Sequence, residues 1–115
     1  MTMTLYGIPN CDTVKRARRW LDEHGVAYAF HDYRKNGVDE AALRGWIGRL
    51  GWEALLNRSG TTFRKLPEDM KRDIDAEKAM AIMLANPSAI RRPVVVQGDR
   101  LVVGFDQDRF APLAG

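Results

Sequence analysis

The sequence predicts an α/β protein with a mixed sheet, built in the order strand–helix–strand, then a helical block, then strand–strand–helix. Three observations predict it. The first 33 residues place a β-prone stretch, a helix with one apolar stripe and an aromatic-rich second strand in succession. Near the other end, the apolar runs Val94-Val95-Val96 and Leu101-Val102-Val103 flank a Gly98-Asp99 turn of the hairpin type. Between them, from about 38 to 90, apolar residues recur at helical spacing. A chain of 115 residues suits one compact domain, 1–115.

The elements follow in order. Residues 2–6 read as the first strand, and Gly7-Ile8-Pro9-Asn10 as a turn. Residues 12–24 read as a helix. Its Val14, Ala17, Trp20 and Leu21 share one side, and its charged residues, Lys15, Arg16, Arg18, Arg19, Asp22 and Glu23, take the other. Gly25 is the natural stop. Residues 26–33 alternate apolar and polar and form the second strand, which completes a right-handed βαβ unit with parallel strands. After the Asn36-Gly37 turn, Asp39 caps a helix reaching Leu50, with Ala42, Leu43, Trp46, Ile47 and Leu50 on its apolar face. Gly51 breaks that helix, residues 52–56 give one more turn, and 57–61 form a polar loop. Pro67 suits the first turn of a short helix. Asp75 starts another, with Ala79, Ile82, Met83 and Leu84 inward, which stops before Pro87. Residues 94–96 make a buried strand and 101–104 its antiparallel partner. Asp106 caps a final helix ending near Leu113. This order is that of a thioredoxin-like fold, βαβ followed by ββα, with a helical insertion at about 38–90 before the last two strands.

Composition narrows the chemistry. No apolar run approaches the roughly 18 residues of a membrane span. Residues 1–7 lack the basic-then-apolar pattern of a signal peptide, so a cytoplasmic location is expected. The single cysteine rules out a disulfide within the chain and any zinc site needing two cysteines. The histidines, His24 and His31, have no ligand cluster around them, so no metal is expected. His24 reads as a helix-end residue and His31 as a strand member. The net charge of +3 suits small anions but is too mild to indicate nucleic acid. The three tryptophans sit in helical patterns and read as core.

The sequence concentrates its chemistry at Cys11. A helix start offers unpaired N–H groups and the positive end of the helix dipole, which favour a thiolate and can cradle an oxyanion. The neighbouring Asp12 either repels that thiolate or caps the helix. A lone cysteine also suits a buried apolar position. Pro93, directly before a buried strand, fits either a cis-proline facing the cysteine or a plain strand-start proline. Lys15, Arg58 and Arg64 each fit a solvated surface.

Three segments, 6–15, 52–58 and 91–105, carry the sequences YGIPNCDTVK, WEALLNR and RRPVVVQGDRLVVGF. They resemble the arsenate reductase C (ArsC) family, most closely its YffB-like branch, and are similar also to the Spx regulators. The resemblance implies a thioredoxin-like fold, a nucleophilic Cys11 and a cis-proline at Pro93. It places Asn10, Asp12, Thr13, Arg58 and Pro93 at the substrate and makes Arg92 the catalytic arginine beside Cys11. Glutaredoxin-coupled members use three arginines to hold the oxyanion. Arg92 matches one. The second falls on Asn57, with Arg58 one position later. The third falls near Val103-Gly104, where there is no arginine, so the clamp is incomplete and arsenate reduction is expected to be weak or vestigial. The resulting expectation is a glutathione-dependent thiol reductase, with no tightly bound cofactor. Glutathione is its co-substrate, glutaredoxin a possible partner, and a small oxidised thiol or oxyanion its substrate. The alternative is an Spx-like protein that binds RNA polymerase; Val14 stands where the second cysteine of such a redox switch would be.

Overall fold

The strand β1 (Met3–Gly7) is the pivot of the fold. It pairs in parallel with β2 (Ala29–Asp32) on one side and antiparallel with β3 (Val94–Gln97) on the other, and β3 pairs antiparallel with β4 (Arg100–Val103). The sheet order is therefore β2-β1-β3-β4. This computed structural model describes residues 2–114; Met1 and Gly115, the outermost positions of the expected domain, lie outside the described residues. The chain divides into two units. One comprises the residues up to Asn36 together with those from Arg92 onward, and the other is Gly37–Arg91.

The first unit holds the whole sheet. Alternation along β1 sends Met3 and Leu5 to one face. There they meet Val14, Ala17 and Leu21 of α1 (Asp12–Glu23), Val95 of β3, and Phe110 and Leu113 of α8 (Gln107–Ala114). These eight residues make one core, and Phe110 is enclosed edge-on by Phe105 and Trp20. Gly7 lets α1 approach the strand closely, since a Cβ there would fall 2.9 Å from Val14 Cγ2. The approach fixes the loop that delivers Cys11. This is the thioredoxin-like arrangement that the element order predicts.

The second unit is helical: α3 (Glu40–Leu50), α4 (Trp52–Leu55), α5 (Thr61–Arg64), α6 (Glu68–Lys71), α7 (Ala76–Ala85) and a 3₁₀ turn at Pro87–Ala89. Asp39 Oδ1 accepts from the N–H groups of Ala41 and Ala42, and Asp75 Oδ1 from that of Lys78, so both expected caps are present. Leu43, Trp46, Leu55, Leu56, Phe63, Ala79, Met80, Ile82 and Met83 are buried. Leu56 and Ile90 form an antiparallel bridge, flanked by Asn57 N–H to Ala89 O at 2.8 Å and Arg91 N–H to Leu55 O at 2.7 Å.

Several expectations need correction. The second strand begins at Ala29 rather than 26 and ends at Asp32, because Asp32 Oδ1 accepts from the Arg34 N–H and turns the chain into α2 (Tyr33–Asn36). Leu50, placed on the apolar face of α3, is 40% exposed: it is the last residue before Gly51. Met80, not named as inward, is buried in α7, whereas Leu84 is only half-buried. The polar loop from 57 ends in a turn of helix, α5, that encloses Phe63. Among the described residues, no helix is long and apolar enough to cross a membrane, and no group of three His, Cys, Asp or Glu could hold a metal ion.

Candidate active site

The loop 8–11 leaves the end of β1 and closes with the Cys11 N–H bonded to Ile8 O at 3.3 Å. Cys11 is itself the N-cap of α1, with extended backbone angles, and its carbonyl accepts from the Lys15 N–H at 2.9 Å. The alternative of an Asp12 cap is therefore settled: Asp12 is the first helical residue and is exposed. No polar cap side chain occupies the helix start, which leaves its N–H groups to the sulfur.

Cys11 is half-buried and packs against the core cluster. Burial pushes its thiol up. The effect is outweighed by a hydrogen bond from the Val14 N–H, by the hydrogen bond and positive charge of the Arg92 guanidinium, and by a hydrogen bond from the Thr13 N–H, so the thiol lies below its ordinary range. Three donors from two elements thus converge on one sulfur. The arrangement favours a thiolate at the head of a 12-residue helix.

Arg92 is half-buried at the entry to β3, and the Arg92–Pro93 bond is cis. Pro93 is buried, and its carbonyl accepts from the Gly104 N–H at 2.8 Å, which ties the segment to the end of β4. Of the residues singled out in the sequence, Cys11, Thr13 and Arg92 come together through direct contacts, with Pro93 adjoining Arg92 in the chain. Asn10 is an exposed loop residue beside Cys11.

Arg58 belongs to the helical unit, where it is exposed and stacks over the Trp52 ring at 5.4 Å. Asn57, at the position of a family arginine, has a local task. Its Oδ1 accepts from the Ser59 N–H and Oγ, so the side chain holds its own turn.

The roles of two residues escaped sequence reasoning. Gly104 has φ +82°, and Arg109 Nη2 lies 3.5 Å from the position its Cβ would take. An arginine side chain at 104 would start from a strained backbone and meet Arg109. The second is Tyr33, the residue after β2, which is buried and stacks on Tyr6. A tyrosine at the end of an alternating run carries no sign that its hydroxyl will be enclosed.

Comparison with known proteins places this geometry. The sequence profile of the ArsC family matches residues 6–113. An uncharacterized protein of Haemophilus influenzae is 38% identical over 108 residues, covering 94% of this chain and 95% of that one. The global transcriptional regulator Spx of Streptococcus agalactiae is 28% identical over 108 residues, covering 92% and 78%. Among solved structures, a YffB protein is 54% identical and superimposes with a TM-score of 0.96 over 99% of this chain and 100% of its own. An arsenate reductase (ArsC) related protein from Brucella melitensis is 50% identical, with a TM-score of 0.78 over 97% and 93%.

Proposed function

The chain belongs to the ArsC family, and within it we propose a glutathione-dependent thiol reductase whose nucleophile is the Cys11 thiolate. The observation that carries this reading is the convergence of the Val14 and Thr13 N–H groups and the Arg92 guanidinium on the Cys11 sulfur. Donors aimed at one sulfur lower its basicity, and the thiolate is the reactive form.

The reaction runs in two exchanges. The Cys11 thiolate attacks the glutathione sulfur of a mixed disulfide, the old S–S bond breaks, and the substrate thiolate leaves. Cys11 now carries glutathione. A second glutathione, as thiolate, attacks that sulfur, and oxidised glutathione leaves as the Cys11 thiolate is restored. The chain has one cysteine, so the resolving thiol comes from outside it: glutathione itself, or glutaredoxin acting on the mixed disulfide. Arg92 and the helix start suit the glutathione carboxylates, and exposed Arg58 is a further candidate to bind them. Thr13, whose N–H donates to the sulfur, and Pro93, next to Arg92 in the chain, are the residues to shape what approaches it, with the exposed Asn10 and Asp12 flanking Cys11 in the sequence. A reducing cytoplasm fits this chemistry. Oxyanion reduction is read as weak or vestigial, because no arginine stands at Val103-Gly104 itself.

Incubation with oxidised glutathione tests the proposal. The protein should gain one glutathionyl group by mass, and Cys11→Ser should gain none. A thiol that titrates at or above about 8.5, the free value, with no adduct would sink the reading. The similarity to Spx supports a second reading, constitutive binding to RNA polymerase. A pull-down with polymerase α-subunit domains that captures nothing would retire it.

A further inference from the structure

The chemistry at Cys11 leaves one enclosed polar group without a task. Tyr33 is 3% exposed, and its hydroxyl makes no hydrogen bond among the described residues. A buried hydroxyl left unmet is destabilising, and phenylalanine would fill the same space without that penalty. The ring is well fixed. It stacks on Tyr6 with centroids 6.4 Å apart and meets His31 edge-on at 5.8 Å. Tyr6 faces His31 in the β1–β2 register and Val94 in the β1–β3 register, two residues past Arg92. The aromatic cluster therefore lies against the strand that Arg92 enters.

Charge links the two residues as well. Burial and the neighbouring Tyr6 push the Tyr33 phenol up, and the positive charge of Arg92 pulls the other way. The phenol stays protonated at neutral pH, so its oxygen keeps lone pairs for a donor. A ligand cannot touch an enclosed hydroxyl. A protein cation close by can.

We propose that Tyr33 is a positioning residue: its hydroxyl is the alternative acceptor for the Arg92 guanidinium once the Cys11 sulfur has become neutral in a disulfide. This rests on the reading that Cys11 forms mixed disulfides. While Cys11 is a thiolate, Arg92 donates to the sulfur. Disulfide formation removes that negative charge, and a disulfide sulfur is a weak acceptor, while the guanidinium keeps its charge. A turn of the guanidinium toward Tyr33 gives the enclosed hydroxyl a donor. The bond is absent while the sulfur is a thiolate, so it stabilises the disulfide state relative to the thiolate.

The test measures exchange equilibria of wild type and Tyr33→Phe with two probes, oxidised glutathione and the neutral bis(2-hydroxyethyl) disulfide. The variant should form either mixed disulfide with an equilibrium constant about tenfold lower, the size expected for one hydrogen bond from a charged group. Its Cys11 thiol should titrate no higher than in wild type, because the neutral thiol, like the disulfide, releases Arg92 to Tyr33, and the thiolate state lacks the bond. In an Arg92→Met background the same substitution should change nothing. The reduced variant should melt no lower than reduced wild type, and its disulfide form should melt lower than that of wild type. An unchanged equilibrium, an equal effect without Arg92, or a thiol pKa that rises with the substitution each overturns the proposal. Exchange with the hydroxyethyl probe but not with glutathione removes the glutathione reading and leaves Tyr33 to be judged on the hydroxyethyl probe. Exchange with neither overturns both.

Discussion

In the sheet unit, position is set by the backbone. Four strands in one register carry Met3, Leu5 and Val95 to a shared face, and α1 and α8 cover that face through Val14, Leu21 and Phe110. In the helical unit, side chains do more of this work. Three of its helices are four residues long, and their joints rest on Asp39, Asn57, Asp75 and Lys78. The difference teaches why the candidate nucleophile sits where it does. A sulfur that needs three donors at fixed angles is best placed where the register of a sheet holds both contributing segments. Segment 92–93 leads directly into β3, and 11–14 follows β1 through the short loop that begins at Ile8.

That contrast should break first at the core. Phe110 is fully buried and meets both Trp20 and Phe105 edge-on. Phe110→Ala removes the side chain that joins α8 to α1 and should cost about 3–5 kcal/mol of stability. Urea unfolding followed by tryptophan fluorescence measures it. A cost below about 1 kcal/mol would mean that the strands, and not this core, hold the unit together.

How much of each unit the sequence revealed follows the same line. The α1 stripe was legible because Val14, Ala17 and Leu21 recur at helical spacing, and the hairpin because Gly98-Asp99 sits between two apolar runs. Cys11 stood out because it adjoins an element with a clear period, whereas Arg92 was marked by the resemblance to the ArsC family. The end of β2 was not legible. Asp32 acts there through a local bond to the Arg34 N–H, which competes with strand pairing and leaves no periodic trace. Helix α5 was hidden in a polar stretch whose one apolar anchor is Phe63. The Tyr33 hydroxyl depends on enclosure, and the Arg109–Gly104 approach on the turn between β4 and α8, and no periodic pattern encodes either.

The electrostatic part of the contrast can be sharpened with Arg92→Met, which removes one donor and leaves the two backbone donors from α1. The Cys11 thiol should move up toward its ordinary range, and alkylation by iodoacetamide at neutral pH should slow by roughly three- to tenfold, with the rate plateau displaced to higher pH. The linked stability has a definite sign. A thiol depressed in the folded state contributes stability that is present above the unfolded value and is lost as pH falls through the folded value. The gap between wild type and variant should therefore be widest in alkaline solution and close on acidification. A gap that widens toward acid would assign Arg92 a different role.

The smallest effect belongs to the helical unit. Asp75 is the N-cap of α7, accepting from the Lys78 N–H at 2.8 Å, while Lys78 Nζ donates to the carbonyls of Asp69 and Arg72. One residue thus receives the cap and ties down the loop before it. Asp75→Ala should cost about 1 kcal/mol, and Asp75→Asn much less, since asparagine caps as well as aspartate. Hydrogen exchange at the Lys78 amide should quicken in the alanine variant. The Cys11 titration should not move, because all three of its donors, Val14, Thr13 and Arg92, belong to the sheet unit. If the thiol pKa shifts with Asp75→Ala, the helical unit takes part in setting the sulfur, and the division of labour between side-chain joints and backbone register fails at the place where it matters most.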